Sequence, residues 1–348
     1  MSPIDYYRLF HNINNKLDAA LRECTIHINL SNIKLKRDLD YYLEHILPDV
    51  ITNLCSITIS NDFLFDKDSI DAGLRHPLLT IGVIKKVQAR ANLLESKNLQ
   101  KLTLKNINAT QMKLISDKIV RIPQIKCLSI SFYGTTAEVL SSIFNNDVIH
   151  SKLAVLELTI SDANTIFTSD SFIHQFPNLE YLTLTSCRVG NLTVFLSLVQ
   201  NIKYLRIKIW DFPNQTQIFA KEKLKLPNLN RLILNTDEIE WSFVEQLLIQ
   251  CGQQLKHLTL IANGGLNFID GENWKKLIIT HLKQLAKFKF DITLWNTSID
   301  NINVSSFNTD FWHQLNVYIA CDWIRCEGED GDIVKVVFHK TELEKIST

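Results

Sequence analysis

Pro177-Asn-Leu-Glu-Tyr-Leu-Thr-Leu-Thr-Ser-Cys-Arg-Val189 is the stretch from which the rest of the chain can be read. From Leu179 it spells Leu-x-x-Leu-x-Leu-x-x-Cys-x-Val, with Leu179, Leu182, Leu184, Cys187 and Val189 at the fixed positions. Leu182 and Leu184 are two residues apart, so on a strand both point to the same side and enter one core. Cys187 is expected to turn inward, where a small thiol packs and hydrogen-bonds the turning backbone. The Leu-x-x-Leu-x-Leu core recurs at Leu54/Ile57/Ile59, Leu99/Leu102/Leu104, Ile125/Leu128/Ile130 and Leu153/Leu156/Leu158. It returns at Ile202/Leu205/Ile207, Leu229/Leu232/Leu234, Leu255/Leu258/Leu260 and Leu285/Phe288/Phe290. From Leu99 onward the shortest step runs from 179 to 202 and the longest from 255 to 285. Pro-Asn-Leu stands at both 177–179 and 227–229, which supports one repeated unit.

This pattern at this period resembles the leucine-rich repeat, in which each unit is a short strand followed by a turn and a helix. The resemblance implies an α/β leucine-rich-repeat solenoid, a horseshoe, over residues 24–308. Helices on its convex side are expected near 110–121, 136–145, 191–199, 240–251 and 271–282. Residues 24–30 read as a first, irregular strand, and residues 38–47 as a helix stopped by Pro48. An acidic loop holds Asp62, Asp66, Asp68 and Asp71. Residues 211–225 read as a loop. After Phe290 the period stops. Two alternating runs around Glu327-Gly-Glu-Asp-Gly-Asp332 read as a hairpin, so residues 309–348, with Phe311, Trp312 and Trp323, are expected to cap the array.

Residues 1–23 read as a helical cap with Leu9, Ile13, Leu17 and Leu21 at spacing four. Pro3 and Asp5 suit a helix N-terminus. Pro3, Asp5, Arg8, Leu9, Lys16, Leu17 and Leu21 resemble the second half of an F-box, with Tyr6 where that family usually has Leu. A full F-box opens earlier, with a Leu-Pro-x-Glu helix, so the chain is expected to carry only part of the motif. In the family the motif binds the Skp1-type adaptor of a cullin ubiquitin ligase, and Pro3, Asp5, Leu9 and Leu17 are the adaptor-binding residues that the resemblance implies. F-box proteins often carry leucine-rich arrays.

Lys plus Arg number 37 and Asp plus Glu 37, so overall charge points to neither nucleic acid nor membrane. Seven cysteines with no Cys-x-x-Cys argue against a disulfide framework and a zinc site. The N-terminus has no apolar signal core, and no run approaches the length of a membrane span, so the expected address is cytoplasmic or nuclear. The phosphate-loop, dinucleotide, zinc-protease and nucleophile-elbow motifs are missing from the sequence. The chain therefore reads as no enzyme, with no cofactor and no metal.

What remains is surface. Residues that alternate with the buried leucines face the open side of each strand. In the N-terminal half they are small and polar. In the C-terminal half they include Tyr181, Tyr204, Arg206, Lys208, Arg231, His257, Lys287 and Lys289, and Tyr and Arg are the residue types enriched at binding hot spots. The expected function is non-catalytic recognition of a protein target, an acidic one, on this face. By the resemblance it is the substrate-binding part of an F-box type ubiquitin-ligase receptor. The other reading is a stand-alone scaffold or inhibitor unrelated to ubiquitin.

Overall fold

Leu102 and Leu104, two apart and both buried, set the pattern that every regular strand repeats. The computed structural model describes residues 25–32, 36–60, 96–133, 137–160, 175–210, 226–237, 240–295, 304–314, 318–324 and 333–339. Its strands are β1 (Ile26–Asn29), β2 (Leu54–Ser60), β3 (Lys101–Asn108), β4 (Cys127–Tyr133), β5 (Val155–Ile160) and β6 (Tyr181–Cys187). They continue as β7 (Tyr204–Trp210), β8 (Arg231–Asp237), β9 (His257–Asn263), β10 (Lys287–Trp295), β11 (Tyr318–Ile324) and β12 (Ile333–His339).

The chain divides into two compact units. In the first, β1 to β5 pair in parallel and in sequence order. In the second, β6 to β10 do the same. Helices occupy Ala109–Ile119, Ala137–Phe144, Val189–Leu198, Trp241–Cys251 and Gly271–His281, close to the expected places. Local chemistry starts two of them. Asn108 Oδ1 accepts from the Gln111 N–H at 2.8 Å while the Asn108 N–H donates to Gln111 Oε1, a reciprocal box that satisfies two end donors. Asp270 accepts from the Glu272 N–H at 2.9 Å. Among the described residues, no helix is long and apolar enough to cross a membrane.

The expectation of a leucine-rich-repeat solenoid with a helical and a hairpin cap is corrected by this topology. The molecule is an α/β fold in which β1–β5 of the first unit and β6–β10 of the second are each all parallel and in sequence order. The physical reason lies past the sixth position of the motif. In β3 and β6 the ladder is interrupted between Leu104 and Ile107 and between Leu184 and Cys187. Asn106 (φ 53°) and Ser186 (φ 59°) take the left-handed region there, and the next residues, Ile107 and Cys187, turn into the core. The Cys187 thiol donates to the Arg188 carbonyl at 3.3 Å, as its turning position requires.

The other regular strands have an inward residue one place earlier: Phe132, Ile160, Ile209, Thr236, Ala262 and Ile292, all buried. They keep two-residue alternation through that position, with no bulge. The opening stretch is thus one of two strands bulged at this position rather than the type of all of them. At the repeat's Asn/Cys position the others carry Tyr133, Ser161, Trp210, Asp237, Asn263 and Thr293, which share no common turn chemistry.

Thr236 is the one polar residue among those six buried positions, flanked in register by Ile209 and Ala262. Its Oγ1 has no hydrogen-bond partner among the described residues. Burying an unsatisfied hydroxyl costs about 1–3 kcal/mol. Thr236→Val keeps the shape and removes that cost, so it is expected to raise stability by about 1 kcal/mol, read as a higher urea midpoint at unchanged slope.

The C-terminal hairpin also departs from its expected role. β12 pairs antiparallel with β10, Asp291 opposite Val337 and Trp295 opposite Ile333, and β11 pairs with β12. The nine-residue β10 offers a second edge whose backbone donors and acceptors need partners, so the hairpin extends the sheet sideways. Packing at this end falls to residues 304–314. The Phe307 ring lies 6.4 Å from that of Phe290 and 5.0 Å from that of Trp312, which is fully buried.

Two smaller expectations also resolve. Pro48 does not stop its helix: a π-turn over Tyr42–Ile46 places it in the first turn of a new α-segment, Leu47–Val50, where a missing N–H costs nothing. The predicted helical cap over 1–23, the acidic loop over 62–71 and the loop over 211–225 lie outside the described residues.

Candidate functional site

The alternation that buries Leu205 and Ile207 sends Tyr204, Arg206 and Lys208 to the opposite face of β7. The parallel register then lines up equivalent residues. Tyr181, Tyr204, Arg231, His257 and Lys287 are consecutive ladder partners and form one row across the second unit. Thr183, Arg206, Ile233, Thr259 and Lys289 form a second row, and Lys208, Asn235, Ile261 and Asp291 a third. All eight residues expected from the sequence therefore share one face. Adjacent strands are about 4.8 Å apart, so the first row spans about 19 Å.

At the β6 end of the first row three side chains neighbour one another. The Tyr181 and Tyr204 rings lie 5.9 Å apart, tilted by 35°. The Arg231 guanidinium sits over the Tyr204 ring, 5.5 Å from its centroid. A guanidinium held on an aromatic face keeps its donor fork pointing outward with less conformational freedom to lose on binding. Tyr181 is 45% exposed and Ile261 37%, so the face also offers apolar contact.

Charge is uneven here. Arg206, Lys208, Arg231, Lys287 and Lys289 face outward with Asp237 and Asp291 as the acids on the three rows and the strand ends. Asp237 is engaged, accepting from Asn263 Nδ2 at 2.8 Å and lying 3.8 Å from Lys208 Nζ. At the entrance of β7, Lys203 pairs with Glu180 at 2.7 Å, which raises the lysine's pKa. His257 feels the opposite. Burial of its ring comes first and the charges of Arg231, Lys287 and Lys256 add to it, holding the imidazole below its ordinary value of 6.5. The unfolded chain thus takes up this proton before the folded one. Stability is lost as pH falls from about 6.5 toward the lower folded value. Sequence alternation does not single out Lys256. It stands just before β9, one place ahead of the alternating positions, and its influence on His257 follows only from the fold.

Pro3, Asp5, Leu9 and Leu17, the adaptor-binding residues implied by the F-box resemblance, lie outside the described residues. On the first unit the equivalent face carries Lys101, Thr103, Ser129, Glu157 and Thr159, with His27 Nδ1 2.8 Å from Ser56 Oγ. Among the described residues, no group of three or more His, Cys, Asp or Glu is placed to hold a metal ion. Burial raises the Cys251 thiol to about 12, so that sulfur is an inert core group. Compared with known proteins, the sequence matches no family model, and no curated protein matches it.

Proposed function

We infer that the chain is a non-catalytic protein-recognition module that binds an acidic partner segment on the exposed face of β6–β10. The observation that carries this reading is the register row Tyr181, Tyr204, Arg231, His257, Lys287, in which stacked aromatics adjoin adjacent cations. Aromatic and arginine side chains supply most of the energy at protein interfaces, and an excess of cations speeds capture of an acidic partner. Equivalent acidic, neutral and basic peptides, titrated against the chain, test it. The acidic peptides are expected to bind best. The double charge reversal Arg206→Glu/Arg231→Glu is expected to weaken them by about a hundredfold, since each close charge pair contributes about a factor of ten or more. Unchanged affinity would reject the reading.

His257 adds a sign. A ligand carboxylate favours its charged form, so binding of an acidic peptide is expected to tighten as pH falls and the ring gains its proton. His257→Gln should flatten that dependence.

A finer proposal is that this module is the substrate-binding part of an F-box type ubiquitin-ligase receptor. It rests on the sequence run of Pro3, Asp5, Leu9 and Leu17. A Skp1-type adaptor should then be captured by the chain and not by Leu9→Asp/Leu17→Asp. No capture, or equal capture by both, leaves a stand-alone scaffold or inhibitor.

A further inference from the structure

We propose that the middle of the first row, Arg231–His257–Lys287, seats the phosphate of a phosphorylated protein segment. This deepens the acidic-partner reading above and rests on it. The three residues are direct ladder neighbours on β8, β9 and β10, so their side chains start within a span of about 10 Å. Lys256 stands immediately before β9, and among the described residues the charged groups acting on His257 are the cations Arg231, Lys287 and Lys256. The other groups facing this point are Arg206 and Ile233 on the β7 and β8 side and Thr259 and Lys289 on the β9 and β10 side. The acids of this face stand elsewhere. Asp237 is engaged with Asn263 and Lys208, and Asp291 lies on the third row beside Ile261.

A carboxylate brings one charge and two oxygens to such a cluster. A phosphate brings a charge of about −1.5 to −2 and three strong acceptor oxygens, which suits a guanidinium fork, an imidazole N–H and an ammonium. The Tyr204 ring under Arg231 already holds the fork in place. Burial lowers the His257 pKa first and the cations Arg231, Lys287 and Lys256 add to it, and a dianion seated there would offset the cations' share. A protein segment fits better than a nucleic acid. Toward β6 the row changes from cations to Tyr204 and Tyr181, and Ile233 and Ile261 lie beside it, so aromatic and apolar side chains of a bound segment find contacts along the face.

The test uses the full chain and three peptides of one acidic, leucine-containing sequence with Ser, Glu or phosphoserine at the centre, together with a single-stranded oligonucleotide of matched charge. The phosphoserine peptide is expected to bind at least about tenfold more tightly than the Glu peptide. Arg231→Gln and Lys287→Gln, both at exposed positions, should each remove that preference without changing thermal unfolding. Inorganic phosphate should compete and should shift the His257 ring signals in a saturable way. Equal affinity for the Glu and phosphoserine peptides, or a preference that survives Arg231→Gln, overturns the phosphate seat. So does tighter binding of the oligonucleotide. If both peptides bind equally yet are lost in Arg206→Glu/Arg231→Glu, the phosphate seat alone falls. If no peptide binds, the acidic-partner reading falls with it.

Discussion

Replacing Trp274 by alanine is expected to lower the stability of the second unit by about 3–5 kcal/mol, the range for truncating a large buried aromatic. Trp274 is fully buried in the helix Gly271–His281. Its indole meets the Trp241 ring edge-on at 4.7 Å, the Phe290 ring edge-on at 5.9 Å and the Phe288 ring at 5.0 Å. These geometries favour aromatic pairs beyond the area they bury. The Nε1–H donates to the Phe268 carbonyl at 2.8 Å, so truncation also leaves a buried acceptor without its donor. Trp274→Phe keeps most of the ring and loses that bond, and should fall between wild type and alanine. Far-ultraviolet circular dichroism in urea measures both. A loss below about 1 kcal/mol for Trp274→Ala would mean that this cluster does not hold β10 to its helix.

Gly271→Ala is the second large effect, and its sign opposes helix propensity. In an open helix alanine is favoured over glycine by about 1 kcal/mol. At Gly271 a Cβ would lie 2.6 Å from the Ser306 carbonyl oxygen, 2.7 Å from its carbon and 2.9 Å from the Phe307 nitrogen. These are backbone atoms, and they cannot swing aside as a side chain can. Moving them would break the Gly271 N–H to Ser306 Oγ bond of 2.8 Å and shift Phe307, which packs between Phe290 and Trp312. The expected cost is about 2–3 kcal/mol. Gly190 supplies the contrast. It lies in the helix Val189–Leu198, and a Cβ there would meet no atom within 4 Å, so Gly190→Ala should be neutral or stabilising by up to about 1 kcal/mol. Similar effects at both glycines would contradict the account.

How far the fold was legible in the sequence depends on the range of the physics involved. The positions Leu-x-x-Leu-x-Leu are local, and from Leu54 to Leu255 their first leucine or isoleucine is fully buried; Leu285 is only half-buried. The helices that follow the strands were legible for the same reason. The error came at the eighth position. Asn106 and Ser186 are small-to-medium polar residues without a β-branch and take the left-handed bulge, while Phe132, Ile160, Ile209, Ala262 and Ile292 are apolar and Thr236 is β-branched, and all six continue the strand inward. That difference stands in the sequence, and Cys187 belongs to the minority case. The hairpin's pairing with β10 was not legible, because an edge that needs covering is a property of the sheet rather than of residues 318–339. Of the site, the shared face followed from alternation alone. The stacking of Arg231 on Tyr204 and the effect of Lys256 on His257 needed the register.

The most direct measurement of the central claim is a hydroxyl-radical footprint of the chain with and without a bound acidic peptide. Protection of Tyr181, Tyr204 and His257, with the first unit's face at Lys101, Glu157 and Thr159 unchanged, is the predicted result. Protection confined to the first unit or to the exposed helix residues Ile249 and Ile279 would place the partner elsewhere and contradict recognition on β6–β10.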